Sequence, residues 1–171
     1  MASRVHLRLP GLKALIKLFV AGRNPTYERM MIQLAAVYQA DMRKRYNKFS
    51  RGGGDWAPLK KSTLRGRKGK GKQSILADTG LLRNALTFGG RGSVLKMVDA
   101  KTARVGFSDT MNHPDTGLSF AELAAIHQAG NPSKNLPARE ILADPSAAAK
   151  RKMVAIIKKT IAHVGGSRGS R

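Results

Sequence analysis

The sequence predicts an α+β fold: a small antiparallel sheet packed against a long helix and further helices, with a basic mobile loop. Three observations carry this. Apolar residues recur at three- and four-residue steps from Tyr27 to Phe49, which gives a helix one continuous apolar face. Two short runs, 94–98 and 102–107, flank Asp99-Ala100-Lys101, the pattern of a hairpin. From Lys60 to Lys72 seven of thirteen residues are basic, with Gly66, Gly69 and Gly71 among them, and no period survives there.

Taken in order, residues 11–21 predict a short helix, and 1–24 as a whole a helical N-terminal extension. Lys13 and Lys17 interrupt its apolar stretch, and Arg23 stands where a signal peptide would need small residues. Asn24-Pro25 supplies a cap and first residue for the second helix. That helix runs to about Phe49, roughly 36 Å, with Met30, Met31, Leu34, Val37, Tyr38, Met42 and Tyr46 on its face. Arg43, Lys44, Arg45 and Lys48 in its last turns suit the helix dipole. Gly52-Gly53-Gly54 ends it, and 50–75 reads as the basic loop. Asp78 or Thr79 caps a short helix carrying Leu81, Leu82 and Ala85. The hairpin follows, then a loop from Asp109 to Gly117. A helix from Phe120 to Ala129 stops at Gly130. Asn131 to Pro137 is a further loop. Asp144-Pro145 opens a last helix, to about Val164, with Met153, Val154, Ile157 and Ile161 on one face. The result is a single domain over 1–164 and a flexible basic tail over 165–171.

The chain has 171 residues and 18.5 kDa, enough for one domain with its own core. It has no cysteine, which removes disulfides, thiolate ligands and cysteine nucleophiles. No run approaches the roughly 20 apolar residues that span a bilayer, so no membrane association is expected. The net charge is +22, and its distribution is uneven. Residues 1–75 hold 18 basic and 3 acidic residues, 76–147 hold 7 of each, and 148–171 hold 7 basic and none acidic. The neutral middle thus sits between two cationic ends.

Several catalytic patterns are approached and missed. Residues 66–72 imitate the phosphate-binding loop G-x-x-x-x-G-K, but Gln73 replaces the hydroxyl residue and no β-run precedes Gly66. Asp78-Thr79-Gly80 matches the aspartic-protease tripeptide, but only one copy exists and a helix follows it. His6, His113, His127 and His163 are scattered, with only His113 and Asp115 close in sequence. No nucleophile–base pair is readable. The chain therefore reads as a non-enzyme without metal or cofactor. The lysine-rich loop suits phosphates, although aromatic content is 5% and no stacking residues interleave with the lysines.

An ordered series of short motifs is more specific. It runs Trp56-Ala57-Pro58-Leu59, then Leu76-Ala77-Asp78-Thr79-Gly80-Leu81-Leu82-Arg83-Asn84-Ala85-Leu86-Thr87, then Val105-Gly106-Phe107, then Ala124-Ala125-Ile126-His127-Gln128-Ala129-Gly130, then Leu136-Pro137-Ala138-Arg139-Glu140-Ile141-Leu142. Over roughly 25–145 this resembles the phage virion morphogenesis, or tail-completion, family of Mu-like phages. Two departures stand out: Ala85 where the family usually has Ser, and Glu140-Ile141 where it tends to have Pro-Phe. The resemblance implies a structural virion protein at the head–tail junction, a tail completion, tail terminator or neck protein. It implies a homo-oligomeric ring, most simply of six subunits, or of twelve at a connector, and other neck and tail proteins as partners. Lys60, Lys61, Arg65, Arg67, Lys68, Lys70 and Lys72 become candidates for contact with acidic neighbours or channel DNA. Trp56, Leu59, Arg83, His127, Gln128 and Arg139 become anchor or subunit-interface candidates. In this reading Arg139 offers its planar fork to a carboxylate on a neighbouring element or subunit. The alternative is a basic nucleic-acid-binding module without a virion role.

Overall fold

A computed structural model of the chain describes residues 25–66, 75–76, 80–88, 91–99 and 102–166. The expected helix 11–21, the caps Asp78 and Thr79, and residues 67–74 and 167–171 lie outside the described residues. The elements are α1 (Pro25–Ser50), α2 (Lys61–Gly66), α3 (Leu81–Phe88), β1 (Ser93–Asp99), β2 (Thr102–Phe107), α4 (Phe120–Ala129), a 3₁₀ turn (Pro132–Lys134) and α5 (Ala147–Gly166). The fold is α+β: β1 and β2 pair as a two-stranded antiparallel sheet, and a long helix and further helices accompany it.

The long helix α1 follows its apolar period. Tyr27, Met30, Leu34, Tyr38, Met42, Tyr46 and Phe49 are all buried, at the three- and four-residue spacing that places them on one face. Met31 and Val37, expected on that face, are only half-buried at its margins. Gly52 and Gly53 turn the chain, their N–H groups donating to the Phe49 and Lys48 carbonyls at 3.1 and 3.0 Å.

Two expectations need correction. The sequence predicts a loop from Lys60, but Lys61–Gly66 is helical, with the Leu64 N–H on the Lys60 carbonyl at 3.1 Å. Lys61, Leu64 and Arg65 are adequate helix formers, and the glycines that disrupt the pattern begin only at Gly66. The last helix begins at Ala147, not at Asp144-Pro145. Ser146 does the capping: its Oγ accepts from the Ala149 N–H at 3.2 Å. Ser146 is itself fixed by Asp41, which accepts its N–H at 2.8 Å and its hydroxyl at 2.7 Å. The helix then runs to Gly166, beyond the expected stop at Val164.

The described residues fall into two compact units. One contains 42–66, 75–76, 80–88, 91–94 and 106–143; the other contains 25–41, 95–99, 102–105 and 144–166. In the first, α3 and α4 pack together and bury Leu82, Ala85, Leu86, Phe120 and Ala124. In the second, α5 buries Ala149, Met153 and Ile157, while Val154 and Ile161, expected on the same face, are exposed because they lie on the flank of the helix rather than on its inner line. No helix among the described residues is long and apolar enough to cross a membrane.

Candidate functional site

The site is built on α4 and the segment that returns from it. Ser119 caps α4 with a reciprocal box: its Oγ accepts from the Glu122 N–H at 3.1 Å, and its own N–H donates to Glu122 Oε2 at 2.9 Å. The Ser119 N–H, joined by the Ser119 hydroxyl donating to the same Oε2 at 2.8 Å, holds the Glu122 carboxyl below the usual carboxylate range. Phe120 is fully buried, and a Cβ at Gly92 would lie 2.4 Å from its ring. Only glycine lets the backbone run that close to the aromatic face. The His113 ring sits 5.7 Å from Phe120, and its Nδ1 accepts from the Asp115 N–H at 3.3 Å. The one histidine–carboxylate neighbour pair in the sequence thus organises a loop.

At the other end of α4 the chain doubles back. Gly130 has φ +74°, and a Cβ there would meet the Ala138 nitrogen at 2.6 Å and the Leu136 carbonyl oxygen at 2.9 Å. Asn131 and Leu136 exchange two backbone bonds, at 2.7 and 2.9 Å, around the 3₁₀ turn. The returning strand-like segment then passes along the helix. The Arg139 N–H donates to the His127 carbonyl at 2.7 Å. Gln128 completes the junction with its side chain. Its Oε1 accepts the Ile141 and Leu142 N–H groups at 2.7 and 3.0 Å, and its Nε2 donates to the Leu142 carbonyl at 3.0 Å. One amide side chain here replaces the backbone of a neighbouring strand for a segment that has none.

The same returning segment holds the Trp56 region. Trp56 is buried, with its ring edge-on to Tyr46 and Phe49 at centroid distances of 5.3 and 5.7 Å. Its Nε1 donates to the Glu140 carbonyl at 3.3 Å, and Arg139 donates through its guanidinium to the Ala57 carbonyl at 3.3 Å. The Glu140 carboxylate pairs with Arg45, whose guanidinium also lies 4.7 Å over the Phe49 ring. Tyr46 donates its hydroxyl to the Leu76 carbonyl, a residue in the left-handed region with φ +56°. The Ile75 N–H donates to the Ser50 carbonyl at 2.9 Å.

Of the residues singled out from the sequence, Trp56, His127, Gln128 and Arg139 therefore meet in one unit. Arg139 is buried and donates to a backbone carbonyl; the carboxylate next to it belongs to Glu140 and is met by Arg45. Leu59 and Arg83 are half-buried, while Lys60, Lys61 and Arg65 are exposed. Arg67, Lys68, Lys70 and Lys72 lie outside the described residues. His127 is half-buried, its Nδ1 has no hydrogen-bond partner, and burial together with the nearby Arg139 charge pushes its pKa down to about 4. It is therefore neutral at pH 7. Among the described residues no group of three or more His, Cys, Asp or Glu side chains could hold a metal. The arrangement fastens one stretch of the chain to another.

Three features escape sequence reasoning. Arg45 and Glu140 are 95 residues apart, and no sequence rule links them. The hydrogen bonding of Gln128 is visible in the sequence only as part of a motif. The cationic outer face of α5 is encoded in its spacing, but the sequence shows it first as a general excess of charge. Searches against protein-family models, curated protein sequences and solved structures found no match.

Proposed function

We propose that this chain is a structural protein of a phage virion, placed at the head–tail junction as a tail completion, terminator or neck protein. In this reading it assembles with itself as a ring, six-fold most simply, and joins tail to head by binding neighbouring neck and tail proteins. It does no covalent chemistry. The observation that supports it is the spatial union of motifs that are far apart in the sequence. Trp56-Ala57, Leu76, His127-Gln128-Gly130 and Arg139-Glu140-Ile141-Leu142 belong to four of the five motif pieces. Three of these pieces are joined directly by bonds spanning 84, 82 and 14 residues, and Leu76 reaches them through Tyr46, whose hydroxyl it accepts and whose ring packs on Trp56. A chance series of weak matches gives no reason for such connection, whereas a family scaffold does.

Mass spectrometry of purified particles, with native mass measurement of the isolated protein, tests the proposal. The protein is expected in tailed virions at a fixed copy number and in solution as a closed oligomer or a monomer that closes on a tail. Its absence from particles would overturn the structural role. The net charge of +22 favours one second reading, a nucleic-acid-binding module made by the same cell but not packaged. That reading requires DNA binding and absence from virions together.

A further inference from the structure

The strongest unassigned feature is the outer face of α5. Ala149, Met153 and Ile157 are buried on its inner side. On the outer side Ala155 is exposed, and four bases surround it in the helical lattice: Arg151 and Lys152 at four and three residues before, Lys158 and Lys159 at three and four after. All four are exposed. Residues three or four apart lie about 5–6 Å from each other at Cβ, so the bases form the corners of a rectangle with a methyl group at its centre. Its long side, seven residues, is about 10.5 Å. Ala147, Ala148 and Ala162, also exposed, keep the remainder of the face low. No acidic residue occurs from Pro145 to Arg171, so nothing on this helix neutralises the cluster. Lys150 is exposed too, but lies about 140° round the helix from Ala155 and outside the cluster.

The geometry points to a docking surface for the phosphate backbone of duplex DNA, read without regard to sequence. Charge complementarity and the low alanine floor let several phosphates approach four cations at once. The composition argues against an acidic protein as occupant. Protein interfaces are depleted in lysine and centre on aromatic anchors, and this face has three lysines at its corners and no aromatic residue. It also argues against a lipid surface. A helix lying on a membrane inserts its apolar side, and here Met153 and Ile157 are already buried within the protein, which leaves as exposed large apolar residues only Val154 and Ile161, each less than two-fifths exposed, at the margin of the basic face. The surface requires no virion role, so its test is separate from the composition of particles.

Binding of the full-length protein to a labelled duplex of arbitrary sequence, followed by anisotropy over a salt series, provides that test. Replacing Arg151, Lys152, Lys158 and Lys159 with Gln is expected to reduce the slope of log affinity against log salt by about 3 to 4, near 0.9 for each phosphate that no longer meets a cation. Affinity at moderate salt should fall at least about a hundredfold. Ala155→Glu provides a second variant. It sets a carboxylate amid the four bases on a residue type that favours helix, and binding should weaken about tenfold with an unchanged melting curve. A salt slope unchanged in both variants overturns the proposal. Polyglutamate or anionic vesicles binding through the same residues as tightly as DNA would also overturn it, in favour of an acidic protein or a lipid surface.

Discussion

The segment 119–143 and the helix α5 use their polar residues in opposite ways. In the first, polar side chains turn inward or along the chain. Ser119 and Glu122 close a cap, Gln128 satisfies three backbone groups, and Arg139 commits its guanidinium to the Ala57 carbonyl. In α5 every basic side chain faces out and none meets a carboxylate on its own helix. The difference separates two kinds of sequence signal. Inward polar residues specify one conformation because a buried unpaired group costs about 1–3 kcal/mol. Outward charges contribute within about 0.5 kcal/mol each to folding and are available to a partner.

The contrast can be broken by substitution. Trp56→Ala should have the largest effect, a loss of about 3–5 kcal/mol on denaturant unfolding, since the ring packs on Tyr46 and Phe49 and its N–H is engaged by Glu140. A loss below about 1 kcal/mol would show that the returning segment does not depend on it. Gln128→Ala should cost about 2–4 kcal/mol, because three backbone groups of Ile141 and Leu142 lose their partner. Gln128→Glu keeps the acceptor and loses the donor, so it should fall between wild type and the alanine variant.

His127 sharpens the comparison through pH. Its folded pKa, about 4, lies below the ordinary 6.5, so between these values the unfolded chain binds the extra proton. The stability contributed by neutral His127 is complete above about pH 6.5 and is lost as pH falls toward about 4. His127→Gln should flatten unfolding free energy against pH in that window, by an amount on the order of 1–2 kcal/mol after solvent screening. The smallest effect belongs to α5. The fourfold Gln variant of Arg151, Lys152, Lys158 and Lys159 should unfold within about 1 kcal/mol of wild type. A large destabilisation there would erase the distinction drawn above.

What the sequence makes legible follows the same division. Helix α1 and helix α4 are readable because period and punctuation agree: seven apolar residues at helical spacing in one, and a Gly130 stop in the other. The hairpin is readable from two β-rich runs around a short break. The helix Lys61–Gly66 is not, because six residues carry too little period to stand out within a lysine-rich tract. Ser146 loses to Asp144-Pro145 as a predicted start because an acidic residue before proline is the louder local signal, while the tie from Ser146 to Asp41 spans 105 residues. In the site, the motif residues can be named from the sequence but not connected. The bonds from Trp56 to Glu140 and from Arg45 to Glu140 depend on tertiary proximity that no local pattern encodes.

The fastening made by Gln128 has a consequence for a chain carrying a net charge of +22. Such a chain repels itself, and added salt changes both that repulsion and its grip on any polyanion. A carboxamide neither titrates nor carries a net charge for counterions to screen. The three bonds to Ile141 and Leu142 therefore hold as ionic strength varies, while the same salt screens the exposed charges of α5. Surface charge and internal fastening thus answer separately to the medium, one screened by it and the other indifferent to it.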